Sequence, residues 1–153
     1  MYGYVKVGSA VPKLRVADCV YNKEEILKLV EAAAAKQVRV LSFPELSVTG
    51  YTCADLFFQT PLLHAAEQAI QEIAEATKAL NIFLLIGAPI AVDNQMFNCA
   101  VALYRGKLLG IVPKTHIPNY SEFYEERWFA SADDLLTEEI TYAGQNVPIG
   151  ADL

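Results

Sequence analysis

Two stretches of helical periodicity, each set between short apolar runs, leave few folds open to this chain. Ile26, Leu29, Val30 and Ala33 keep the spacing of one helical face to about Lys36. Leu62, Ala66, Ala69, Ile70, Ile73, Thr77 and Leu80 keep the same spacing in a second stretch, opened by Thr60-Pro61 as cap and first helical residue. The runs Tyr4 to Ala10, Val38 to Phe43 and Ile82 to Gly87 read as strands around them. A β-α-β-α-β order favours parallel strands joined through helices, an α/β layered architecture. Ile82 to Gly87 is apolar throughout, which predicts a strand covered on both faces.

Local signals refine this outline. Asn22 and Glu25 have the spacing of a capping box, with Tyr21 and Ile26 placed as its hydrophobic staple. Ala54 to Gln59 reads as a short helical turn, and Ala88 to Gln95, with its proline and Asp93-Asn94, as a turn region. Phe97 to Tyr104 and Lys107 to Val112 flank Arg105-Gly106 and predict a tight hairpin. Beyond it come a polar, aromatic loop from Pro113 to Tyr124, a helical turn through Trp128 and a weak strand at Ile140 to Tyr142.

Composition removes several functional classes. A net charge of -6 without any basic run argues against nucleic-acid binding. No apolar run approaches the ~20 residues of a membrane span, and Met1 to Lys6 lacks the layout of a secretory signal. Cys19, Cys53 and Cys99 are odd in number and lack C-x-x-C spacing, as expected of reduced thiols in a cytoplasmic protein.

Two charges stand at strand ends. Val38 to Phe43 stops at Pro44, which has no N–H to offer a ladder, and Glu45 follows. Lys107 to Val112 stops at Pro113, and Lys114 follows. In open α/β sheets ligands bind at the carboxyl ends of strands. Each residue also fits a solvated loop charge, and composition alone leaves both readings open. Ser121 to Phe129 holds three acids, Glu122, Glu125 and Glu126, among four aromatic residues. Such a segment packs its rings on a core, or sends one acid into a partly desolvated pocket to pair with Lys114.

The thiols carry less weight. Cys99 lies within a strand and Cys19 within a connection, and neither has an activating partner nearby in sequence. Cys53 follows Glu45 by a few positions, yet nothing around it supplies the base and positive environment a thiolate needs. His64 falls in a helix and His116 in a loop. Serine-hydrolase, dinucleotide, P-loop and zincin motifs are absent, and no metal site is expected.

The segment Phe43-Pro44-Glu45-Leu46-Ser47-Val48-Thr49-Gly50-Tyr51 resembles the first catalytic motif of the nitrilase, or carbon–nitrogen hydrolase, superfamily, and Pro113-Lys114-Thr115-His116-Ile117-Pro118 resembles its lysine motif. The segments Tyr51 to Gln59, Pro118 to Phe129 and the opening Tyr2 to Val7 are similar to the amino-terminal glutaminase domain of the glutamine-dependent NAD(+) synthetase family. The resemblance implies an α-β-β-α sandwich of which 1–153 is the first half. It implies Glu45 as general base, Lys114 as stabiliser of the tetrahedral intermediate, and Glu125 as the glutamate orienting both. Tyr120 is implied as a glutamine-contacting residue, with Tyr51 lining the same pocket.

It further implies glutamine as substrate, no cofactor for this domain, and ammonia delivered to the chain's own carboxyl-terminal synthetase domain, where ATP and Mg²⁺ activate deamido-NAD. A homo-oligomer is implied for the whole enzyme. The family nucleophile is a cysteine on a later strand, in a motif like Glu-Ile-Cys-Glu-Asp, which none of the three cysteines matches. The expectation is therefore a fragment ending before its thiol, inactive alone, with sheet edges exposed and a tendency to associate. The alternatives are a stand-alone nitrilase-like amidase and a non-catalytic binding or assembly module.

Overall fold

A computed structural model describes residues 3–153; Met1 and Tyr2, the latter read above as the beginning of the opening motif, lie outside the described residues. Five strands form one sheet in the order of the chain among the described residues: β1 (Val7–Ser9), β2 (Val40–Ser42), β3 (Phe83–Val92), β4 (Gln95–Tyr104) and β5 (Lys107–Pro113). β1, β2 and β3 are parallel, linked through α1 (Cys19–Ala35) and α2 (Thr60–Thr77); β3, β4 and β5 are antiparallel. A separate hairpin, β6 (Glu139–Tyr142) with β7 (Gln145–Pro148), continues through Ile149, which bridges to Ile111 of β5.

The register divides the sheet into two unlike faces. Leu84, Ile86, Ala88 and Ile90 of β3 stand opposite Leu103, Val101, Cys99 and Phe97 of β4, and all are buried. With Ile26, Val30, Ile70 and Ile73 of the helices they make one core. Phe83 and Leu85 of β3, with Ala100 and Ala102 of β4 and Val112 of β5, share the opposite face and are only half-buried. The double-sided cover expected for β3 is thus complete on the helical face alone. Burying a Leu or Ile stabilises by about 1.5–3 kcal/mol, so the helical face carries most of the fold's apolar gain.

β2 is confined to Val40–Ser42 and an unforeseen β7 follows β6; four further differences from the sequence reading have a physical reason in the contacts. α1 begins at Cys19, where Asp18 accepts the Tyr21 N–H at 3.0 Å as its cap. Asn22 is not the cap: it is fully buried, accepts the Arg15 N–H at 2.8 Å, and donates to the carbonyls of Arg15 and Val48, each at 2.9 Å. In α2 the cap is Gln59 and Thr60 is already helical. β3 does not turn at Ala88 but runs through Pro89 to Val92. The backbone of Phe83, Leu85 and Gly87 faces β2 and its following loop, so by strand alternation Pro89's missing N–H points that way too, beyond the end of β2. β1 is shorter than Tyr4 to Ala10, because β2 offers partners only to Val7, Gly8 and Ser9.

Asp93-Asn94 and Arg105-Gly106 both take positive φ at two successive residues, the conformation that matches the twist of a two-residue hairpin. The exposed side chains of Tyr4, Val5, Val7 and Val11 lie in or beside the edge strand β1. Among the described residues, no helix is long and apolar enough to cross a membrane.

Candidate active site

Glu45 occupies the loop that leaves β2, and that loop rests directly on the backbone of β3. The Val48 N–H donates to the Gly87 carbonyl at 3.2 Å. A Cβ on Gly87 would stand 2.4 Å from both the Leu46 nitrogen and the Pro44 oxygen, so only glycine admits this approach. Gly50 supplies the positive φ that turns the loop back, and Asn22 holds it through Val48. Glu45 is therefore anchored on both sides by backbone contacts although its own side chain is half exposed.

Lys114 leaves β5 on the half-buried face of the sheet, with its N–H bonded to the Asn98 carbonyl at 2.8 Å. Its Nζ lies 3.0 Å from Glu45 Oε2 and 3.1 Å from Glu125 Oε2. Glu125 is 3% exposed, at the start of a 3₁₀ turn, Glu125–Arg127. A buried carboxylate is costly unless its charge and lone pairs are met. Here Lys114 supplies the charge, and the Tyr51 hydroxyl donates to Glu125 Oε1 at 2.5 Å.

Desolvation pulls the Lys114 ammonium toward deprotonation, but the hydrogen bonds and charges of Glu45 and Glu125 outweigh it and hold its pKa above the usual lysine value. Burial, then the bond to Glu125, pushes the Tyr51 phenol well above its ordinary range. Lys114 therefore stays cationic and Tyr51 stays a donor throughout the neutral range.

The turn that carries Glu125 is clamped to the turn that follows Tyr51. Arg127 donates from Nε and Nη2 to the two oxygens of Asp55, both at 2.8 Å, and Trp128 Nε1 donates to Asp55 at 3.0 Å. These bonds lower the Asp55 pKa to about 2. Phe57 packs against Phe129 at 5.0 Å between ring centres beneath the clamp.

The structure thus brings Glu45, Lys114, Glu125 and Tyr51 together. Tyr120 stands apart, 68% exposed, with its ring edge-on to Phe123 at 5.9 Å. Glu122 and Glu126 are exposed, and Glu126 accepts from Asn119 at 2.7 Å. His64 and His116 are exposed. A groove of about 240 Å³ runs from Glu45, Asn98 and Lys114 along the half-buried face over Phe43, Leu85 and Val112.

All three cysteines are free and buried. Cys53 donates its thiol to the carbonyls of Thr49 and Gly50, at 3.2 and 3.3 Å, and burial raises its pKa. Burial likewise pushes the Cys19 thiol up to about 11 and raises that of Cys99. A thiol held protonated against carbonyls is a structural group, not a nucleophile. Among the described residues, no cluster of three or more His, Cys, Asp or Glu side chains is placed to hold a metal ion.

The sequence reading passed over one residue of this cluster, Asn98. Its signal was there: Asn98 is the lone polar residue between Met96 and Leu103. It is 3% exposed and donates from Nδ2 to Glu45 Oε2 at 2.9 Å.

Known proteins resemble the chain at both levels. The carbon–nitrogen hydrolase family profile matches residues 6–151. A glutamine-dependent NAD(+) synthetase of Mycobacterium leprae is 36% identical over 151 residues, covering 99% of this chain and 22% of that protein. The crystal structure of a glutamine-dependent NAD(+) synthetase from Cytophaga hutchinsonii superposes with a TM-score of 0.88 at 29% identity, over 95% of this chain and 25% of that one. An amidase from Nesterenkonia sp. shares the fold, with a TM-score of 0.67 at 19% identity over 90% of this chain and 52% of its own.

Proposed function

The chain belongs to the carbon–nitrogen hydrolase family, and on that premise we propose that residues 1–153 form the first part of a glutaminase domain supplying ammonia to an attached synthetase domain. The observation that carries this reading is the Lys114 ammonium held between Glu45 and Glu125 at the ends of two strands. Surface ion pairs contribute little, and a chain gains little by burying one carboxylate to make another. The arrangement has a use when charge must develop beside it during a reaction.

Glu45 is the base. Among the described residues no donor reaches its Oε1, while Oε2 accepts from both Lys114 and Asn98. Oε1 takes the proton of a thiol, and the thiolate attacks the carboxamide carbon of glutamine. The Lys114 cation stabilises the resulting oxyanion. As the C–N bond breaks, Glu45 returns its proton to the departing ammonia, and water then hydrolyses the thioester to glutamate.

The thiol comes from outside these 153 residues, since each cysteine present is buried, protonated and held for packing. The ammonia is consumed in ATP- and Mg²⁺-dependent amidation of deamido-NAD by the synthetase domain, in a homo-oligomer. Glutamine is the substrate, with Tyr51 and Tyr120 toward its binding side.

The test uses the in-frame product that contains these residues and the synthetase domain. Glu45→Gln and Lys114→Met should each abolish glutamine-driven NAD formation, while formation driven by free ammonia persists. Full glutamine-driven activity in either variant would remove the proposal.

A further inference from the structure

We propose that Asn98 is a positioning residue that fixes which oxygen of Glu45 is free to accept a proton; this rests on the role of Glu45 as base given above. Asn98 sits in β4 on the half-buried face of the sheet, beside the start of the Glu45 loop and one strand from Lys114. It touches both halves of the charged pair. Its amide donates to Glu45 Oε2 at 2.9 Å, and its backbone carbonyl accepts the Lys114 N–H at 2.8 Å. A single residue therefore sets the side chain of the base and the backbone of the cation.

The chemistry selects the residue type. An ionised carboxylate only accepts, so the Asn98 amide must turn its NH₂ group toward Glu45. A neutral amide adds a donor without adding charge. A lysine or arginine there would compete with Lys114 for the carboxylate, and an aspartate would repel it. With Lys114 and Asn98 both on Oε2, the carboxylate cannot rotate to exchange its oxygens without breaking two bonds. Oε1 is left without a donor among the described residues, on a side chain that lines the groove over Phe43, Leu85 and Val112. Burial of Asn98, 3% exposed, makes the restraint stiff, because a shielded amide bonds more strongly than one in water.

A purely structural role makes a different forecast. The strand bond to Lys114 uses the Asn98 carbonyl, which any residue supplies, so side-chain replacement would then alter the melting temperature alone. The test is steady-state glutamine hydrolysis by the in-frame product, with Asn98→Ala, the isosteric Asn98→Asp, and Glu45→Gln alongside. For Asn98→Ala we expect kcat to fall about 10²-fold, the cost of a misplaced reacting group, with KM unchanged. The acid limb of the pH profile should move to higher pH, because a carboxylate that loses a donor protonates more readily. Asn98→Asp, whose carboxylate repels that of Glu45, should move that limb further in the same direction, and it keeps the side-chain volume, leaving no cavity, if the alanine form fails to fold. Unchanged kcat and acid limb in both Asn98 variants, with Glu45→Gln inactive, would overturn the positioning role and leave the base intact. An active Glu45→Gln would overturn both.

Discussion

The Tyr51 hydroxyl donates to Glu125 Oε1 at 2.5 Å across 74 positions of sequence. This bond joins the loop after β2 to the turn after β5, and it reaches a carboxylate that solvent does not. Tyr51→Phe removes the donor and leaves the ring. A hydrogen bond to a charged group contributes about 1.5–3 kcal/mol, so the variant should unfold at lower denaturant by an amount in that range. Equilibrium denaturation with an unchanged m-value checks it, and an unaltered midpoint would show that the Tyr51 bond to Glu125 contributes nothing to stability beyond what Lys114 already supplies.

Gly87→Ala should be among the most damaging small substitutions in the chain. Its methyl would meet the backbone of Pro44 and Leu46 at 2.4 Å, and neither atom belongs to a flexible side chain. Overpacking of this kind costs roughly 1–3 kcal/mol. The loss should come with displacement of the Glu45 loop, seen as new amide shifts from Pro44 to Gly50. A variant as stable as the parent would mean that the loop does not rest on β3.

The Asp55 clamp makes a prediction about pH. Asp55 is depressed to about 2 in the folded chain, so the folded state binds fewer protons there than the unfolded state. Its contribution is complete above the unfolded carboxyl value and is lost as pH falls from about 4 to about 2. The clamp should therefore survive at pH 4.5, with the Trp128 indole N–H shift unchanged from neutrality. Asp55→Asn, which cannot make the charged fork to Arg127, should shift that signal at all pH values. A Trp128 shift that titrates near pH 4 would contradict the assignment.

Much of the fold was legible because its signals are local. Helical spacing located α1 and α2, and Arg105-Gly106 located the β4–β5 hairpin. The ends of elements were not legible where a distant partner decides them. Asn22 has the spacing of a cap, yet buried carbonyls at Arg15 and Val48 claim its amide. Pro89 looked like a stop because its missing N–H matters only if a strand lies on that side, and β2 has ended by then. β7 has Val147 as its one fully buried apolar side chain and depends on the partner β6 for its existence.

The site shows the same division. Proline after an apolar run marked Glu45 and Lys114, and chain order alone put each at a strand end. The residues by themselves did not choose Glu125 over Glu122 and Glu126. That choice depends on which acid the Asp55 clamp and the Phe57–Phe129 contact turn inward. Asn98 carried no motif, only the oddity of one amide in an apolar strand.

The central claim is that residues 1–153 hold the base and the cation but not the nucleophile. It is tested most directly by incubating the purified 153-residue chain, and its Cys53→Ala variant, with glutamine and measuring ammonia. The prediction is no release above the uncatalysed rate from either protein. Ammonia release by the chain that Cys53→Ala abolishes would contradict it, and would place the nucleophile on the loop that carries Glu45.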